Sequence, residues 1–201
     1  MKQLDEATVK QIKNNIKLFF NLATDEHMKQ GLSWYTRAYI EAKEISKRYG
    51  YDTYKVAQVI SALSPRNKWE QNLKDADKVC EAHKEGIHPT DIKVCTFHSN
   101  KFKAFNILSN NVDITEKSLK TYNFVQNIAY LSRDHVTVDI WHLRACFKDK
   151  IKINNASIGK IAYGQIKDAT LEVAKEIGIK GFELQAIVWL SAQSYFSKTT
   201  N

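Results

Sequence analysis

Apolar residues along this chain recur at three- and four-residue intervals, in blocks separated by short polar links. From Leu4 to Leu22, the residues Val9, Ile12, Ile16, Phe19 and Phe20 fall on one helical face. Ser33 to Tyr49 reads as a second helix, stopped by Gly50. Thr53 opens a third as its cap, with Val56, Val59, Ile60 and Leu63 apolar; it ends at Ser64-Pro65, because the residue before proline avoids helical angles. A fourth runs from about Lys68 to His83. Gly86 to Thr96 reads as a loop, Phe102 to Leu108 as a short helix, and Lys120 to Leu131 as another with Tyr122, Val125, Ile128 and Ala129 apolar. His135 to Val138 is a short extended run. Asp139 then precedes a helix containing Trp141, Leu143, Ala145 and Phe147. Two last helices span about Ser157–Ile177 and Phe182–Phe196, separated by Gly178 and Gly181.

The pattern predicts an all-α protein with about nine helices. Composition agrees: seven Gly and two Pro in 201 residues leave few turn-formers for a many-stranded sheet. The length fits a single helical domain over 1–201, or two lobes, about 50–132 and 1–49 with 133–201, sharing a cleft. No stretch of about 18 apolar residues exists to span a membrane, and the N-terminal MKQLDEATVKQIKNN lacks the apolar core of a signal peptide. Three cysteines, Cys80, Cys95 and Cys146, show no disulfide-framework spacing, which points to a reducing, cytoplasmic setting. The net charge of +8 comes without a basic tail, so any cationic surface must be assembled by the fold. That excess suits a polyanionic partner, and it also suits a merely Lys-rich soluble protein.

Candidate chemistry concentrates in His135-Val-Thr-Val-Asp139-Ile-Trp-His-Leu-Arg144. An Asp at the head of a helix is first of all an N-cap. The same position holds a carboxylate rigidly and keeps it charged beside the positive end of the helix dipole, which is what a catalytic carboxylate needs. The residues alone leave both readings open.

Val138, Asp139 and Arg144 resemble the Val-Asp-x-x-x-x-Arg signature of helix-hairpin-helix DNA glycosylases of the endonuclease III type. Lys120-Thr-Tyr-Asn123, nineteen residues before Asp139, resembles the start of that family's second hairpin helix, and Lys103-Ala-Phe-Asn-Ile107 resembles an earlier helix. The resemblance implies that Asp139 stabilises an oxocarbenium-like sugar as a base leaves, and that Lys120 attacks the sugar in members that also cut the strand. It implies DNA as partner, duplex with one base flipped out, a monomeric enzyme, and no cofactor, since the four-Cys iron–sulfur motif of some members is absent. The segment Val59 to Asn72 is similar to the family's base-pocket segment, which makes Ser64, Arg66, Asn67, Lys68, Trp69 and Asn72 candidate DNA contacts; Thr137, His142, Arg144 and Gln185 are candidates beside Asp139. Where the family carries hairpin glycines this chain has Thr115-Glu-Lys-Ser-Leu119, so Lys117, Ser118 and Lys120 would have to hold phosphate with side chains.

A second resemblance, to a set of small bacteriophage proteins, rests on Trp34-Tyr35, Ser64-Pro65…Trp69…Asn72, Val136-Thr137-Val138-Asp139 and Gln185-Ala-Ile-Val-Trp189. It implies a host-cytoplasmic location. Gln185 and Trp189, at i and i+4, share a helix face that either packs or lines a site. Cys80, His83, Cys95 and His98, with His88 between, have spacing from which a zinc site can be built, although two ligands on one regular helix are unusual for it. The expected activity is N-glycosidic cleavage of a damaged or modified base. The alternatives are a DNA-binding or host-inhibiting module that kept the fold, and a protein-interaction factor with incidental charge.

Overall fold

The computed structural model describes residues 3–149 and 158–198, the side chain of Lys198 excepted. They form nine α-helices and no β-strand: α1 (Glu6–Asn21), α2 (Asp25–Tyr49), α3 (Thr53–Leu63), α4 (Trp69–Lys84), α5 (His98–Leu108), α6 (Leu119–Tyr130), α7 (Ile140–Phe147), α8 (Lys160–Ile177) and α9 (Gly181–Lys198). Single 3-10 turns stand at Pro89–Asp91 and Glu116–Ser118. The all-helical expectation holds. His135 to Val138, expected as a short extended run, has no regular secondary structure. Ser157, the expected start of the eighth helix, lies outside the described residues.

The chain divides into two compact units, Met1–Tyr35 with Ser132–Asn201, and Thr36–Leu131. The first boundary falls inside α2, not after Gly50. Helix α2 begins eight residues before the expected Ser33, because tertiary packing outweighs the poor helix propensity of Gly31. A Cβ on Gly31 would lie 2.4 Å from Ile187 Cγ1 and 2.8–2.9 Å from the Ile187 backbone. Only glycine lets α2 approach α9 that closely. Helical Gly→Ala changes normally stabilise by about 1 kcal/mol. Gly31→Ala is expected to reverse that sign, losing about 1–2 kcal/mol in urea unfolding as overpacking wins; a stabilised variant would refute the close approach.

In the first unit α1 packs on α7, α8 and α9, and α9 also receives α7 and α8. Ile12, Ile16 and Phe19 are the buried face of α1; Val9, expected with them, is only partly covered. In the second unit α3 packs on α4, α5 and α6. Every residue of α3 from Val56 to Leu63 is buried, as befits a helix surrounded by others. Its cap is Asp52, whose side chain accepts from the Lys55 N–H; Thr53 is the first helical residue.

Candidate functional site

The segment leading to Asp139 is held by a tyrosine. The Tyr163 hydroxyl, on α8, accepts from the Val138 N–H at 3.1 Å and donates to the Val136 carbonyl at 3.0 Å. Ladder partners are missing in an isolated extended stretch, so a buried side chain must satisfy its backbone. Val136, Thr137 and Val138 are all buried, and Asp139 emerges from them partly exposed at the head of α7.

Both carboxylate oxygens of Asp139 are fixed. Oδ1 accepts from the His142 backbone N–H at 2.8 Å, the N-cap bond. Oδ2 accepts from Trp189 Nε1–H at 3.0 Å. One turn before Trp189, Gln185 Oε1 accepts from the Tyr35 hydroxyl at 2.9 Å, and Tyr35 also meets the Thr137 side chain. Burial pushes the Tyr35 phenol far above its ordinary range, with the Asp139 charge acting in the same direction, so the hydroxyl stays protonated and donates. The Trp34 ring packs edge-on against Tyr35, with centroids 4.6 Å apart, and lies 6.5 Å from the Trp189 ring. Asp139 is therefore an N-cap, and it is also the centre of a buried polar network with aromatic neighbours.

His142 lies inside this network. Its Nε2 is 3.0 Å from Thr170 Oγ1, and that hydroxyl donates its one proton to the Ile166 carbonyl at 2.8 Å. The ring must then donate from Nε2–H, leaving a lone pair on Nδ1, which has no hydrogen-bond partner among the described residues. Complete burial lowers the His142 pKa to about 4 and keeps the ring neutral. Arg144 stacks its guanidinium 4.2 Å from the Trp141 ring centroid.

The structure thus gathers Thr137, Asp139, His142, Arg144 and Gln185 in the first unit. Thr137, His142 and Gln185 are buried, and each has a protein partner: Tyr35 for Thr137 and Gln185, Thr170 for His142. Sequence reasoning names Tyr35 only within the Trp34-Tyr35 pattern, leaves Trp189 open between packing and lining a site, and misses Tyr163. For Trp189 the signal is its i, i+4 pairing with Gln185.

The remaining candidates belong to the second unit. Asn72 is buried and donates to the Ile60 carbonyl, bracing α3 against α4, while its Oδ1 has no hydrogen-bond partner among the described residues. Trp69 is partly exposed, donates to Glu41 Oε2 at 3.2 Å and meets the Phe124 ring edge-on. Ser64, Pro65, Arg66 and Asn67 form a tight turn closed by Asn67 N–H to the Ser64 carbonyl at 3.1 Å. Buried Asp75 fixes this turn through Asn67 Nδ2 at 2.8 Å and also accepts from the Cys95 N–H. Ser64 Oγ donates back to the Ser61 carbonyl. Arg66 sits at the third turn position with φ 59°, a left-handed conformation where glycine is normal, and its guanidinium rests 5.3 Å from the exposed Phe97 ring. Strain retained at an exposed cation is a mark of use. Arg66→Gly should stabilise the fold by about 1 kcal/mol in urea unfolding; a variant no more stable than the wild type would show that the left-handed conformation carries no strain.

Lys68, Lys117 and Lys120 are exposed. In place of a glycine hairpin, Thr115 Oγ1 accepts from the Lys117 N–H, capping the 3-10 turn that leads into α6. The zinc spacing does not produce a cluster. His83 bonds instead to the Tyr51 hydroxyl and Ser109 Oγ, at 2.7 and 2.8 Å, and burial raises the Cys80 thiol to about 12. Among the described residues no three His, Cys, Asp or Glu side chains converge on a common point.

Fold and site together define an all-helical protein with a doubly anchored carboxylate at a helix head. The chain belongs to the DUF7178 family, a family of unknown function, whose model matches residues 1–195. No curated protein and no solved structure matches it. Among the described residues, no helix is long and apolar enough to cross a membrane.

Proposed function

We propose that this protein is a DNA-acting N-glycosylase in which Asp139 supplies the negative charge that stabilises the sugar as a damaged or modified base departs. The observation that carries the reading is the double anchoring of Asp139 by the His142 N–H and Trp189 Nε1–H. A carboxylate so held needs no reorganisation when positive charge develops at an anomeric carbon, and preorganised charge of this kind is usually what accelerates such a reaction most. Its signature Val138-Asp139…Arg144 and the Lys120 helix resemble those of helix-hairpin-helix glycosylases, and the net charge of +8 suits phosphate contacts. Each unit carries 15 basic against 11 acidic residues, so both have charge for DNA. Arg66, Lys68 and Lys117 are the exposed cations assigned to the strand.

Lys120 is exposed at the first turn of α6 and lacks the desolvated setting that activates a Schiff-base lysine, which favours base release without strand cleavage. The test is incubation with duplexes bearing damaged or modified bases, followed by alkali. Alkali-labile sites without spontaneous breaks are expected. Intact DNA across the panel would sink the enzyme, and borohydride-trapped adducts would restore Lys120 as nucleophile. The Thr-capped turn in place of hairpin glycines favours one other reading, a DNA-binding module without catalysis. In that case salt-sensitive binding persists and no base is released.

A further inference from the structure

The second unit holds an open pocket of about 380 Å³, lined by Lys93, His98 and Lys101, by Thr90 and Thr96, and by the apolar Ile92. No carboxylate lines it. Asp91, which accepts from the Thr90 hydroxyl at 2.9 Å, is bonded to the wall without being part of it. Its most informative residue is Lys101, which is 5% exposed. The Lys101 ammonium donates to the Ile92 carbonyl at 2.7 Å and makes no ion pair with any described residue. An ammonium has three donors, so two remain uncommitted beside the cavity. A buried charge that lacks a counter-charge is strongly disfavoured, and proteins retain one where an ion or ligand completes it.

The surroundings match an anion. Helix α5 starts at the pocket wall with Phe97 as its N-cap residue, and no side chain caps its first-turn N–H groups. Thr96 Oγ1 donates to the Pro65 carbonyl, which ties this wall to the strained Arg66 turn. The volume lies within the range of small-ligand sites, and the pocket is open to a group presented from outside.

We propose that this pocket is an oxyanion site that takes a phosphoryl group, carried either by a free nucleotide or by a nucleic-acid strand. It stands on Lys101 and its pocket alone, whether or not Asp139 performs chemistry. The test measures thermal unfolding of the full chain with inorganic phosphate and with a deoxynucleoside monophosphate, against sodium chloride at equal ionic strength. In parallel, fluorescence anisotropy measures binding of a duplex without terminal phosphates. Lys101→Met keeps the aliphatic stem and removes the charge; Lys93→Ala is the exposed second variant should the first fail to fold. A phosphate-specific rise in Tm that either variant abolishes assigns the site to free phosphomonoesters. About tenfold weaker duplex binding in the variants, without a Tm response to small phosphates, assigns it to the strand. Equal responses to phosphate and chloride, together with unchanged duplex affinity in both variants, overturn the proposal.

Discussion

Asp139→Asn is expected to lower base release by on the order of a thousandfold while leaving the fold nearly as stable. The two effects separate because, on the proposed function, Asp139 has two jobs with different requirements. As N-cap it needs only an acceptor oxygen for the His142 N–H, and asparagine caps as well as aspartate. As catalytic group it needs the negative charge, which the amide lacks. The Trp189 Nε1–H would face an amide nitrogen that cannot accept, so a loss of about 1 kcal/mol is anticipated. Asp139→Ala removes the cap as well and should lose about 2–3 kcal/mol. Urea unfolding of both variants beside their base-release rates settles the matter. If Asp139→Asn releases bases at the wild-type rate, Asp139 is a structural cap and the charge has no chemical task.

Most helices are legible from periodicity because they bury one apolar stripe; α3, buried on all sides from Val56 to Leu63, is legible from its apolar run and its stop before Pro65, and α3 to α9 appear within a few residues of where the pattern puts them. Helix α2 reads short because the sequence marks Gly31 as a weak helix former without revealing Ile187 beside it. Asp139 is legible as a helix head, since an Asp after β-branched residues and before an apolar helix has few other uses. Its second anchor is not: Trp189 lies fifty residues away, and no local spacing announces that an indole N–H will meet a carboxylate. The same limit explains Asn72, whose amide chemistry suits a base edge as well as it suits the Ile60 carbonyl it serves. Polar residues declare what they can bond, and only the packing decides whether they bond inward or outward.

Acidification should destabilise this protein through His142 before most carboxylates titrate. Its pKa falls from 6.5 to about 4 on folding, because burial disfavours the imidazolium. Between those values the unfolded chain binds a proton that the folded chain refuses. Stability from this group is therefore complete above pH 6.5, declines as the pH drops through that window, and is gone below about pH 4. The whole change corresponds to about 3 kcal/mol, of which about 2 kcal/mol should be lost by about pH 5. His83 acts in the same direction, lowered by burial and then by Lys55, with a smaller share because it is partly exposed. The measurement is urea unfolding at several pH values from neutral down to about 4.5, for the wild type and for His142→Gln. The glutamine variant is expected to start less stable, having lost the Thr170 contact, but to show a much flatter dependence on pH. Equal slopes in the two proteins would mean that His142 admits a proton in the folded state. Its bare Nδ1 would then have an acceptor or a water beside it able to share the charge. In the folded protein the ring stays neutral down to about pH 4, so the turn that Asp139 caps through the His142 N–H is unaffected across this window. On the proposed function, base release per folded molecule should therefore not follow the loss of stability between pH 6.5 and about 4.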